Sequence, residues 1–168
     1  MKKIKINFWF FILVTFLQFN YSQEFSKSFL KESAQIILND SKTCILTTIS
    51  EDGSPSSRVM DPFIPKDDFI VYMVTNPKSR KVAEIYEDPR VVLVFQNKSG
   101  YVSIKGLVSI INNPTHKIKF WKKEWSPYYD SKENAFLFKV SPYSLEIVNF
   151  DSGISGNLET WTPPKVSF

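Results

Sequence analysis

The chain has 168 residues, 43% hydrophobic and 23% charged, with one cysteine and one histidine. That suffices for one domain with a sizeable core, and the lone cysteine excludes an internal disulfide. The formal net charge of +4 falls to +1 once the three lysines ahead of the first acid are set aside, so bulk charge gives nucleic-acid binding no support.

Those lysines open the first element. Lys2, Lys3 and Lys5 precede an apolar run from Phe8 to Leu17, and polar Gln18, Asn20 and Ser22 follow. This is the order of a secretory signal peptide, expected to be cleaved after Ser22. The run is about ten residues, short of the roughly 20 that a spanning helix needs. The expectation is an exported protein, periplasmic or secreted, with one domain over residues 23–168 and no stable membrane span after cleavage. An uncleaved N-terminal anchor is the alternative.

"FSKSFLKESAQIILND" reads as an amphipathic helix with Phe29, Leu30, Ser33, Ala34 and Ile37 on one face. "TCILTTIS" and "PSSRVMDPFI" form a strand pair around Asp52-Gly53, a hairpin signal. Cys44 in the first of them reads as a buried small hydrophobe. "DDFIVYMV" suits a buried strand. A helix is expected from Asn76 as N-cap and Pro77 as first residue, with Val82, Ala83 and Tyr86 as its apolar stripe, ending at Asp88-Pro89. "RVVLVF" is a further strand, and "YVSIKGLVSII" a long one with a bend or bulge at Gly106. "NPTHKIKFWKKEW" reads as a second capped helix. "AFLFKV" and "YSLEIVNF" read as a closing hairpin around Ser141-Pro142, followed by a loop-rich tail. Seven strand candidates joined mostly by short turns predict a mainly β fold, an antiparallel, closed or nearly closed barrel with flanking helices.

Conventional catalytic groups are sparse. His116 reads as a surface helix residue, and no metal-ligand spacing is visible. The distinctive feature is electrostatic: Lys78, Arg80 and Lys81 lie in the first turn expected of the helix after Thr75, where cations are unfavourable. Backbone N–H groups there, with Thr75, Ser79 and Arg58 from a strand that could neighbour the one ending at Thr75, could converge on a phosphate-sized anion. Three solvated cations, screened by salt, are the other reading.

"CILTTISEDGSPSSRVMDP" and "DDFIVYMVTNPKSRKVAEIYEDPRVVLVF" resemble the FMN-binding split-barrel proteins of the pyridoxamine 5'-phosphate oxidase-like superfamily, general-stress-protein branch. "YVSIKG" and "SPYSLEIVNF" fit the same order, and the likeness spans roughly residues 29–150. It implies a six-stranded split barrel, one of the seven candidates lying outside it or merging with another. It also implies a homodimer with FMN at the interface, a small-molecule substrate, and phosphate contacts from Arg58, Thr75, Ser79, Arg80 and Lys81. Backbone at Val59 and Met60 would border the flavin ring. Where vitamin B6 oxidases carry a Lys beyond the strand Arg, this chain has Phe63; where they carry a flavin-contacting Gln, it has Tyr101. Their C-terminal Arg and His pattern is absent from "NLETWTPPKVSF", which points away from pyridoxamine phosphate itself. Trp121, Trp125, Tyr128 and Tyr129 could line an adjoining pocket or serve as core contacts. The leading expectation is an exported FMN-dependent oxidoreductase. The alternative is a non-catalytic module for flavin, another phosphate ligand or a haem-type pigment, the last given little support by the lone His116.

Overall fold

The computed structural model describes residues 24–129 and 131–168. The leader and its expected cleavage position lie outside the described residues.

Eight antiparallel strands form one sheet: β1 Cys44–Ile49, β2 Pro55–Met60, β3 Pro62–Phe63, β4 Val71–Thr75, β5 Arg90–Asn97, β6 Gly100–Ile111, β7 Phe136–Asn149 and β8 Lys165–Ser167. Helices are α1 Lys27–Asp40, α2 Arg80–Glu87 and α3 Pro114–Lys119, with a 3-10 helix over Lys123–Tyr128. The strand order is β2-β1-β5-β6-β7-β4-β3, and β8 adds to β7. The two ends of this path, β2 and β3, are consecutive in the chain with Asp61 alone between them. One kinked strand therefore borders β1 with its first half and β4 with its second. Counted as one, it leaves six strands on the path, with β8 outside it, and curls the sheet into a split barrel.

The split lies beside β2. The pairing to β4 is made by β3, Pro62 with Met73 and Phe63 with Tyr72. β2 itself pairs with β1 from Cys44↔Met60 to Ile49↔Pro55. Alternation along the strands builds the interior: Leu46, Leu93, Ile104 and Leu145 face one another across four strands and are fully buried.

Several local expectations change. The predicted hairpin at Ser141-Pro142 is one continuous strand, β7. Lys105 pairs with Ser144 and Gly106 with Pro142, so Tyr143 is the extra residue of a bulge. A bulge accommodates a proline, which cannot donate to the ladder. Gly106 is required there because a Cβ would lie 2.7 Å from the Ser141 carbonyl oxygen. The two strand candidates thus merge.

The helix expected from Pro77 begins at Arg80 with Ser79 as N-cap. Asn76 instead caps a preceding turn, its Oδ1 accepting from Lys78 N at 2.9 Å. The buried face of α2 is Val82, Glu84 and Ile85, while Ala83 and Tyr86 are exposed. On α1, Leu30, Ser33, Ala34 and Ile37 are buried as expected, but Leu38 completes the face. Phe29 is on the surface, stacked on Phe25 at 5.5 Å.

The second capped helix is short. Asn113 accepts from His116 N at 3.1 Å, α3 stops at Lys119, and the 3-10 helix carries the chain onward. In the tail expected to be loop, Lys165–Ser167 pairs with β7.

Candidate functional site

A cleft of about 330 Å³ opens along the seam between β2 and β4. Its floor carries Val59 and Met60 from β2 and Val74 and Thr75 from β4. The kink residue Asp61 joins them. One wall is the turn into α2, with Asn76, Ser79 and Lys81; the other is aromatic, with Trp125, Tyr128 and Tyr129.

The cationic wall is built around Lys81. Its ammonium donates to Thr75 Oγ1 at 3.0 Å and Ser79 Oγ at 2.6 Å. Thr75 is buried at the end of β4, and Ser79 is placed by the turn that Asn76 caps. Both partners are neutral hydroxyls. Burial, and secondarily the Arg58 guanidinium, pushes the Lys81 pKa below the usual lysine value. Lys78, which the sequence places in the same cluster, sits exposed in the turn and is not part of the cleft lining.

Arg58 and Arg80 are arranged differently. Both bind Glu84, Arg58 Nη2 to Oε2 at 2.8 Å and Arg80 Nε to Oε1 at 2.9 Å. Ser56 Oγ accepts from each of them, at 2.9 and 2.8 Å. Thr48 Oγ1 donates to Glu84 at 2.5 Å and accepts from Arg58 Nη1. Arg58 belongs on the inward face of its strand, opposite Leu46, and a carboxylate is what makes a guanidinium tolerable there. Burial alone would raise the Glu84 pKa. The Thr48 hydroxyl, Arg58 and Arg80 together outweigh it and hold the carboxyl below its usual value.

The aromatic wall comes from the connection between β6 and β7. Trp125 is 8% exposed, and its indole N–H donates to Asp61 Oδ2 at 2.6 Å. It packs edge-on against Phe63 and Trp121, with centroids at 5.6 and 5.9 Å. Tyr129 meets Trp121 at 5.4 Å. Burial, and secondarily the Asp61 carboxylate, raises the Tyr129 pKa.

The expected site residues therefore divide. Val59, Met60, Thr75, Ser79 and Lys81 line one cleft; Arg58 and Arg80 stand behind it, engaged with Glu84. Arg58 does not lie on a strand paired to β4, since β3 takes that place. Tyr101 is at the start of β6, between Gln96 and Val148, and does not line the cleft of its own chain. His116 is exposed on α3. Cys44 is buried, and burial pushes its thiol up to about 12, as its apolar strand suggests.

Glu84 and Asp61 are absent from the expected site. The i, i+4 spacing of Arg80 and Glu84 was a readable signal for the first. Thr48, Arg58 and Asp61 reach their partners only through the fold.

A curled antiparallel sheet with a seam cleft, cationic on one side and aromatic on the other, defines a split barrel of the FMN-binding type. The family profile described as Pyridoxamine 5'-phosphate oxidase matches residues 30–148, and the chain belongs to that family. General Stress Protein 26 from Bacillus anthracis is similar at 26% identity and TM-score 0.67, covering 83% of this chain and 98% of that one. A protein related to general stress protein 26 from Clostridium acetobutylicum shares the fold at 15% identity and TM-score 0.69, over 86% and 97% of the two chains. So does a NimC/NimA family protein from the same organism, at 16% identity and TM-score 0.59 over 74% and 90%. No match was found among curated proteins.

Proposed function

We propose that the protein is an exported, homodimeric, FMN-dependent oxidoreductase acting on a small molecule. The observation that carries this reading is Lys81, a half-buried cation whose hydrogen-bond partners Thr75 and Ser79 are neutral, facing a cleft beside the unladdered side of β2. A phosphate is the natural complement of one ammonium and two hydroxyls at a helix start. Backbone groups at Val59 and Met60 suit the amide edge of a flat ring, and Trp125 and Tyr129 its faces.

The residues thus fit FMN. Lys81, Thr75 and Ser79 would hold its phosphate, and Arg58 and Arg80 would add positive potential from behind. When bound, the flavin supplies the electron-transfer chemistry. The chain's own part is to bind it, orient it and exclude water from one face.

The dimer is supported by apolar exposure on the outer face of the barrel. Val59 is 68% exposed and Ile45 beside it 37%. Tyr101 lies on the same outer face by register through Val94 and Ser103, so a second copy docked there could bring its Tyr101 toward this cleft. Export rests on the leader sequence, and N-terminal sequencing of the mature protein tests it.

A non-catalytic flavin-binding module is the second reading. It is favoured by Asp61, whose carboxylate is committed to Lys122 and Trp125. Absorbance spectra of the purified protein, before and after FMN is added, test both. A flavin spectrum lost in Lys81→Glu supports the site, and no binding at micromolar FMN rejects it. Reduction of bound flavin by NADH or NADPH separates enzyme from carrier.

A further inference from the structure

Most neighbouring strands are joined tightly; β5 and β6 need only Lys98 and Ser99. The connection between β6 and β7 is long, and its described residues, 112–129 and 131–135, carry α3 and the 3-10 helix. Long connections in compact domains are commonly functional. This one returns to the barrel and gives the cleft its aromatic wall.

Its polar fastening centres on Asp61. One carboxylate oxygen accepts from the Trp125 indole N–H at 2.6 Å, and the other pairs with Lys122. Lys122 also donates to the Pro62 carbonyl at 2.8 Å and lies 5.4 Å from the ring centroids of Phe63 and Trp125. A buried indole N–H needs an acceptor, and Asp61 provides it. Asp61 occupies the kink between β2 and β3, so its position is set by both halves of the strand that closes the barrel.

We infer that Asp61 is a positioning residue that holds Trp125, and through it the aromatic wall, at the spacing that admits a flat ring into the cleft. Ring and phosphate are then held by separate groups, Asp61 acting on the first and Lys81 on the second. The ligand part of this inference rests on the flavin reading; the anchoring of Trp125 does not.

The test uses the full chain, with riboflavin as a phosphate-free ring probe and inorganic phosphate as a ring-free probe. Hydrogen exchange of the Trp125 indole N–H, followed by NMR without ligand, gives a third readout. In Asp61→Ala the indole exchanges about tenfold faster and riboflavin binds about tenfold more weakly, the loss of one charge-assisted hydrogen bond. Phosphate affinity stays within about twofold, because its partners are untouched. Trp125→Phe keeps a ring but removes the N–H, so it weakens riboflavin in the same direction. The double variant is no weaker than the worse single one, since both act through one bond. Lys81→Ala shows the opposite pattern, losing phosphate and retaining riboflavin. Unchanged indole exchange in Asp61→Ala overturns the inference, as does parallel weakening of both probes in that variant. Should the wild-type protein bind neither riboflavin nor FMN, the flavin reading fails and the exchange measurement alone decides the role of Asp61.

Discussion

Arg80 and Lys81 are consecutive at the start of α2, yet the two cationic groups they belong to are satisfied in opposite ways. Arg58 and Arg80 close on Glu84, Ser56 and Thr48, a network that is complete within the chain. Lys81 turns into the cleft and, among the described residues, hydrogen-bonds to hydroxyls alone. Cations at a helix start are mildly unfavourable, and the two groups resolve this through an internal carboxylate and, in our proposal, a ligand. Counting positive residues in sequence overstates the charge a ligand meets, because Glu84 lies beneath them.

The largest effect that separates the groups is expected from Lys81→Glu. FMN affinity should fall at least about a hundredfold, roughly 2.7 kcal/mol, with a much smaller change in thermal stability. Calorimetric titration and a melting curve together read both. Glu84→Ala should show the reverse. Leaving Arg58 without its carboxylate should destabilise the fold by about 2–3 kcal/mol, less than a fully buried pair because both arginines keep some water. Urea unfolding measures it.

The Glu84 pKa is lower in the fold than in the unfolded chain. Its stabilisation is therefore present above the ordinary glutamate pKa and lost as pH falls through the folded value. Glu84→Gln should flatten that acid limb.

A smaller effect is expected from pH on binding. The Lys81 pKa is depressed by burial and by Arg58, so the charged form opposes folding at neutral pH, and that opposition is relieved as pH rises through the folded value. A bound phosphate should restore the proton. FMN affinity should fall as pH climbs into the alkaline range, with proton uptake on binding visible as a buffer-dependent heat. Lys81→Arg should remove this dependence, since its guanidinium stays charged. The smallest change is expected from Arg80→Ala. Arg80 is 76% exposed in its i, i+4 pair with Glu84, so stability should drop by only about 0.3–0.5 kcal/mol. Thermal melts would show it, and a larger loss would mean that the network is less local than its geometry.

Local signals suffice where a residue type has one structural use. Asp52-Gly53 turns β1 into β2, and Gly106 marks the place on β6 that faces the bulge of β7. Pro142 misled because a proline ends most strands but is tolerated at a bulge, and the bulge depends on the register of a strand some forty residues away. Asn76-Pro77 misled in a different way: the same pair that opens a helix also builds a turn, and Ser79 was available to cap. The buried face of α2 differs from the expected stripe because Glu84 turns inward to Arg58 and Thr48, which puts Val82 and Ile85 inside with it and Ala83 and Tyr86 on the surface. At the site, Thr75, Ser79 and Lys81 are close in sequence and were legible together. Glu84 and Asp61 were not, because their roles depend on partners in β1, β2 and the residue 112–135 connection.

The kinked strand of β2 and β3 has a consequence for how the protein opens. Its two halves sit at opposite ends of the sheet path, so neither end can peel away without pulling on the other. Amides of β2 and β3 should therefore exchange in one cooperative unit rather than fray separately. The seam that forms the floor of the cleft would then be as long-lived as the barrel itself, and a ligand resting on it would report on the integrity of the whole fold.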